Sequence, residues 1–540
     1  MKIRHLGFIL AFALFALLGY WLAGTATPKK TARGNPNDAP VARVHPPPDE
    51  SPPKFRRAAR PPSKSGDSEA AELGALEGQR VLVFKDQEAL ERFLKRMGKG
   101  INLLGRLDAL NALRVGFSDY ADLAGLLDGD EEMSYIFPVN TPPLPEGGVQ
   151  PGATALGARL LDWLGIKGDN SAWGKGVRVA VLDTGVLQNP AIQGLMRSIN
   201  LVDMPSDVSL VNSHGTAVAS LIAGSGANTP GVAPGAEILS IRVANDSGQS
   251  DSFLLAQGIM AAVDAGVSLI NISMGGQGES GVLRKAIEYA NERGVLIFAA
   301  SGNNGVDQVF YPAASEGVIA VGAVDAQGNH LDFSNSGKEI DISAPGYGVN
   351  TAWSVDQAAM ATGTSFSTPI ITGTVAAVMT QAGPGTLSAA QAWELVTRYL
   401  NDGGAAGQDT QLGAGMPDIG RVLAGDTKGI YDAAVAGQSI LPPDSINPYG
   451  QVEILIQNRG TEPLVNTALN VTNGGARSSY NITTLAPNSV TTVRVPVMRP
   501  PVSATTEFQV EARVSTSGGI VDAKPSNDVR IETYAPVVSP

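Results

Sequence analysis

Apolar positions along the chain follow four successive patterns. The first is an uninterrupted run, LGFILAFALFALLGYWLAG at 6–24, behind Lys2, Arg4 and His5. It predicts an export signal or signal anchor over 1–27, with Gly24-Thr25-Ala26 as a small-x-small cleavage pattern. Residues 28–78 then lose apolar periodicity, gain proline and basic residues, and read as an extended linker. Over 79–141 the second pattern alternates short strands with amphipathic helices. RVLVF, INLLGRLDA, NALRVGF and MSYIFPV read as strands; DQEALERFLKRMGK, capped by Asp86, and DYADLAGLLD read as helices. The order β-α-β-β-α-β predicts a small ferredoxin-like α+β domain. A Pro- and Gly-rich connection covers 142–154.

From 155 to 424 the third pattern sets in. Continuous apolar strands such as RVAVLD, AEILSIRVA, VSLINIS and VLIFAAS alternate with helix-like stretches such as HGTAVASLIAG and VLRKAIEYANERG. Strands without polar alternation are buried on both faces, so the prediction is a doubly wound α/β domain around a parallel sheet. Ligands of such sheets sit beyond the carboxyl ends of the strands. In 425–540 short β-branched segments between turn residues predict an antiparallel β-sandwich.

Composition narrows the chemistry. A chain of 540 residues with a formal charge of −12 holds several domains and is not built for nucleic acid. It has no cysteine, which removes disulfides, thiolate metal sites and a cysteine nucleophile. Of its four histidines, His214 and His330 fall in the α/β region. His330, in DAQGNHLD, reads as an exposed turn residue without a role.

Four fragments remain. Asp183 ends the strand RVAVLD; His214 opens a helix in NSHGTAVASL; Asn303 follows Gly302 after the strand FAAS; Ser365 stands in ATGTSFSTP at the start of another helix. Each has an ordinary reading, as a strand-ending turn or, for Ser365, a helix cap. Together they are the parts of acyl transfer. A serine needs a base, the base needs an anion to fix its tautomer, and the oxyanion needs donors such as the Asn303 amide and the Ser365 N–H.

DTG, HGT, SGN and GTSFSTP, in that order, resemble the subtilisin-like serine proteases, or subtilases, over roughly 150–424. The resemblance implies that Asp183 orients, His214 acts as base and acid, Ser365 attacks, and Asn303 donates to the oxyanion. NISMGG is similar to the family's substrate strand, which implies that Ser273 and Gly275 offer backbone hydrogen bonds to an extended polypeptide, with Gly302 on one wall of the primary pocket. Phe310 falls where relatives often carry a small residue at the pocket base, so a short pocket favouring small side chains is expected. The family also implies that 79–141 is an inhibitory propeptide acting in cis and that 142–154 holds a self-cleavage site. The sandwich is similar to CARDB modules, which implies a surface protein or polymer as partner. Structural calcium occurs in the family, but no loop here marks a site and no cofactor is assigned. Membrane contact is expected only through the N-terminal run of an exported protein in the periplasm, envelope or medium.

Two other readings compete with this one. LDTG and NDSG also resemble the paired signatures of aspartic proteases, but that fold is mostly β. A catalytically silent subtilase acting as a surface binding module is the alternative function.

Overall fold

The computed structural model describes residues 67–141, 150–202, 213–382, 386–497 and 507–534. All of them belong to a unit that runs from 60 to 540. The expected export signal, the linker as far as 66, and positions 142–149 of the connection lie outside the described residues.

A helix, α1 (Ser68–Leu73), precedes four antiparallel strands, β1 (Gln79–Phe84), β2 (Ile101–Leu107), β3 (Ala112–Phe117) and β4 (Glu131–Ser134). Helices α2 (Gln87–Arg96) and α3 (Tyr120–Ala124) complete the β-α-β-β-α-β order, and the sheet order β2-β3-β1-β4 is that of a split βαβ unit. One face buries Leu82, Leu90, Phe93, Leu113 and Leu123 under the helices. Asp86 caps α2 by accepting from the Ala89 N–H at 2.7 Å.

Two expectations need correction here. Residues 67–78 do not belong to the linker. Arg80 is buried among Phe117, Tyr120 and Tyr135, and it needs an anion; Asp67 supplies both carboxylate oxygens, at 2.7 and 2.8 Å, which pins α1 to the sheet. Nor is MSYIFPV one strand. β4 stops at Ser134, and β5 (Pro138–Asn140) pairs instead with a strand of the next domain.

After the short α4 (Leu160–Trp163), the α/β domain opens with β6 (Arg178–Asp183) and β7 (Leu195–Asn200). Helix α5 (His214–Ala223), the ribbon β8 (Ser225–Gly226) and β9 (Thr229–Pro230), and β10 (Glu237–Arg242) follow. Then come β11 (Gln249–Asp251), α6 (Ser252–Asp264), β12 (Leu269–Ile272), α7 (Gly281–Asn291), β13 (Leu296–Ala300), β14 (Val318–Val324) and β15 (Ile340–Pro345). A hairpin of β16 (Val349–Trp353) and β17 (Gln357–Ala361) leads into α8 (Thr364–Gln381), followed by α9 (Ala389–Arg398) and α10 (Ile419–Ala424). Seven strands form one parallel sheet, ordered β15-β14-β13-β12-β6-β10-β7. Its interior strands are buried on both faces and mostly apolar, as the continuous runs required, because α5, α8 and α9 cover one face and α6 and α7 the other.

The N-terminal sheet lays its second face on α6 and α7. Val81, Val83, Leu107, Ala112 and Ile136 share one apolar cluster with Phe253, Val282 and Ala286. Arg114 pairs with Asp251, the cap of α6, at 2.9 Å, and Glu132 pairs with Arg284 and Lys285 on α7.

The C-terminal region is a sandwich. One sheet holds β18 (Ala433–Leu441), β19 (Gln451–Asn458) and β22 (Val490–Pro496). The other holds β20 (Leu464–Asn473), β21 (Ala476–Leu485), β23 (Phe508–Ser515) and β24 (Val529–Tyr534). Alternate residues such as Val510, Ala512 and Val514 fill the space between the sheets. Arg421 of α10 ties this domain to the α/β domain: its guanidinium donates to the carbonyls of Leu400, Tyr399 and Arg459 and to Asn488 Oδ1.

Candidate active site

Asp183 is the last residue of β6, at the carboxyl edge of the sheet, and His214 is the first residue of α5. Neither exposes more than 1% of its surface, so their interaction is not diluted by solvent. The imidazole Nδ1 lies 2.8 and 2.9 Å from the two Asp183 oxygens. A carboxylate accepts only, so Nδ1 carries the proton and Nε2 is left with the lone pair. Asp183 is itself held: its Oδ1 accepts from the Thr184 N–H at 2.7 Å and the Thr184 hydroxyl at 3.2 Å. The same hydroxyl accepts from the Gly215 N–H at 3.3 Å, which binds the aspartate turn to the first turn of the histidine helix.

Ser365 is the second residue of α8, not its cap. The cap position is Gly363, at φ 145°, and no side chain caps the helix. The capping reading therefore fails for Ser365, and its hydroxyl is left to other work. It donates to the Ser273 carbonyl at 3.3 Å. Phe366, next along the helix, sets its ring 5.4 Å from the His214 ring, so the nucleophile candidate's own helix packs on the imidazole.

Asn303 Oδ1 accepts from both the N–H and the hydroxyl of Thr364, each at 2.9 Å. That fixes the oxygen end of the amide at the N-terminus of α8 and turns the NH2 end the other way. Gly302 has φ 115°, and a side chain there would run into Asn335. Asn335 is fully buried; its Oδ1 accepts from the Asn304 N–H at 2.9 Å and its amide donates to the Gln308 carbonyl. Thr184, Thr364 and Asn335 escaped the sequence reading, since each acts through contacts made only on folding. The first two do sit next to motif residues, which is the one signal that marks them.

Gly275 meets an extended segment of the chain itself. Its N–H donates to the Asn140 carbonyl and its carbonyl accepts from the Asn140 N–H, both at 3.1 Å. The Thr141 N–H donates to the Gly248 carbonyl at 2.8 Å, and β5 pairs antiparallel with β11. A strand is thus inserted between 248–251 and 275–276, the pattern of strand addition. Phe310 is buried between two glycines. A Cβ on Gly275 would lie 3.2 Å from the Phe310 Cβ, and one on Gly302 would lie 3.1 Å from its ring.

His330 does not match its expectation. It is half-buried, and burial depresses its pKa against the pull of Asp332 and Asp409. It lies in an isolated bridge with Val324, which draws the turn onto β14. Asp246, the second aspartate of the aspartic-protease reading, is ion-paired with Arg242 at 2.7 Å. Among the described residues no group of three or more His, Cys, Asp or Glu side chains is arranged to hold a metal.

The sequence pattern of the Subtilase family matches residues 174–415. Subtilisin Savinase of Lederbergia lenta is 38% identical over 207 residues, 38% of this chain and 77% of that protein. The thermostable alkaline protease of Halalkalibacterium halodurans is 38% identical over 208 residues, and the chain spans 57% of its length. Among solved structures, a mutant protease domain of PatA is 31% identical, with 46% of this chain and 95% of that one covered at a TM-score of 0.41.

Proposed function

The chain belongs to the subtilase family, and from that premise we propose that it is an exported serine endopeptidase made as a self-inhibited precursor. The observation that carries the reading is the buried pairing of His214 with both oxygens of Asp183, beside the helix start that bears Ser365. In the reaction, Ser365 Oγ attacks the carbonyl carbon and His214 Nε2 takes its proton. Asp183 holds the tautomer and steadies the cation that forms. Asn303 and the Ser365 N–H receive the oxyanion. Collapse breaks the C–N bond as His214 returns the proton to the leaving amine, and water then cleaves the acyl ester by the same route.

The precursor reading rests on the Asn140–Gly275 exchange. Residues 138–141 take the backbone hydrogen bonds that an extended polypeptide substrate needs, so the N-terminal domain blocks the cleft with its own tail. Export rests on the apolar run at 6–24.

A fluorophosphonate probe tests the reading. The wild-type chain is expected to be labelled covalently at Ser365 and to show cleavage between residues 138 and 155 by mass spectrometry. Ser365→Ala is expected to lose both. An unlabelled wild-type chain, or labelling that persists in Ser365→Ala, overturns it.

A further inference from the structure

The carbonyl of Ser365 has a problem that its own helix cannot solve. In an α-helix the carbonyl of residue i accepts from the N–H of residue i+4. For Ser365 that residue is Pro369, inside α8, which has no N–H. Ser365 is 1% exposed, so bulk water does not reach the group. The missing donor comes from across the sheet: the Ser273 hydroxyl donates to the Ser365 carbonyl at 2.8 Å.

Behind Ser273 stands a chain of fully buried polar groups. The Asn271 amide donates to Ser273 Oγ at 3.0 Å, and the Thr372 hydroxyl, two turns down α8 from Ser365, donates to Asn271 Oδ1 at 2.9 Å, with the Thr368 carbonyl as a second, longer acceptor at 3.1 Å. The direction is forced. A carbonyl only accepts, so Ser273 must donate its one proton to it and must accept from Asn271. That turns the amide nitrogen toward Ser273 and the oxygen toward Thr372. Ser365 answers with its own hydroxyl on the Ser273 carbonyl, so the two serines exchange hydrogen bonds.

We propose that Ser273, oriented by Asn271 and Thr372, is a positioning residue that supplies the hydrogen bond Pro369 withholds and so fixes the nucleophile against the substrate strand. The proposal rests on Ser365 being the nucleophile. Acyl transfer is sensitive to small displacements of the attacking atom. A bond from the end of β12 to the backbone of Ser365 sets that displacement directly, because the segment beyond β12 also carries the peptide-binding Gly275.

The test is the second-order rate of fluorophosphonate labelling of the full chain in four forms: wild type, Ser273→Ala, Pro369→Ala and the double variant. With Pro369 present, Ser273→Ala is expected to slow labelling about tenfold, the scale of one buried hydrogen bond. With Pro369→Ala the helix regains an N–H for that carbonyl, and the same serine change is expected to slow labelling less than about threefold. A role in packing alone predicts no such dependence on residue 369. Labelling of Ser273→Ala at the wild-type rate, or equal slowing in both backgrounds, overturns the proposal. Should Ser273→Ala not fold, as judged by its melting curve, Thr372→Val and Thr372→Ser decide: Val is expected to slow labelling about twofold or more and Ser to restore it. Equal rates in the two overturn the relay. A wild-type chain that is not labelled at all instead removes the nucleophile reading on which it rests.

Discussion

Phe310 is the side chain expected to set the size of the primary pocket. Its Cβ and ring lie against the positions where Gly275 and Gly302 would carry side chains, so the ring fills the room between two walls of the expected primary pocket. Phe310→Ala is expected to open that room and to raise kcat/KM for an aromatic residue before the scissile bond, relative to alanine there, by about 10-fold or more. Profiling both proteins on a peptide library checks it; a wild type that already prefers large aromatics sinks the idea. At this scale the sequence was legible where chemistry is local. Asp183 at a strand end and His214 at a helix start could be picked out because the polar residue interrupts an apolar pattern. The Ser273 hydroxyl could not, because its partner lies 92 residues away and its task arises from Pro369. The proline was visible in the sequence; the carbonyl it leaves without a helical donor was not.

Elements were legible in proportion to how far their own periodicity decides them. The central strands β6, β10, β12 and β13 of the parallel sheet and the split βαβ unit follow from buried runs and amphipathic helices, whereas β7, β14 and β15 at its two sides were not singled out. Helix α1 did not, since SEAAEL carries little apolar signal and is held by tertiary contacts. Its anchor is the Asp67–Arg80 pair, 3% and 1% exposed at the side chains. Burial pushes the Asp67 carboxyl up, but hydrogen bonds from Arg80 and the Gly78 N–H, with the charge of Arg80, together hold it below its ordinary value. A depressed carboxyl contributes stability above its unfolded pKa, about 3.9, and loses it as pH falls through the lower folded value. Asp67→Ala leaves the Arg80 charge buried without its anion, at a cost of roughly 3–5 kcal/mol. That is a large share of the 5–15 kcal/mol typical of a domain. In the full chain carrying Ser365→Ala, limited proteolysis at pH 7 is expected to open the N-terminal domain first in this variant, and to leave it intact without Asp67→Ala. Equal protection in both would show that α1 is ornamental to the domain.

For the whole molecule, the question is whether the sandwich rides loosely on the α/β domain or forms part of it. The change of pattern near 425 suggested a separate β-sandwich, and its resemblance to CARDB modules implied a binding role, but a boundary says nothing of what crosses it. The structure puts Arg421 across that boundary. It is 8% exposed, and it donates to Leu400 at 2.7 Å on one side and to Asn488 at 2.6 Å on the other. Arg459 of the sandwich reaches back to the Asp402 carbonyl at 3.2 Å, and burial lowers its pKa to about 10. Gln457 closes the joint, accepting from the Asp402 N–H and donating to the Leu400 carbonyl. A joint held by several buried, charge-assisted hydrogen bonds couples the two domains, because opening it gives up all of those bonds at once. The wild-type chain is therefore expected to melt the α/β domain and sandwich in one calorimetric transition. Arg421→Ala removes donors from three backbone carbonyls and from the side-chain oxygens of Asn401 and Asn488, each such bond to a charged group being worth about 1.5–3 kcal/mol. It is expected to split that transition in two, with the sandwich leaving first and proteolysis appearing near 425–432. The split belongs to the joint and not to the catalytic centre, so fluorophosphonate labelling at 25 °C should stay close to the wild-type rate. Two transitions already present in the wild type would mean that the sandwich is free to move as an independent module.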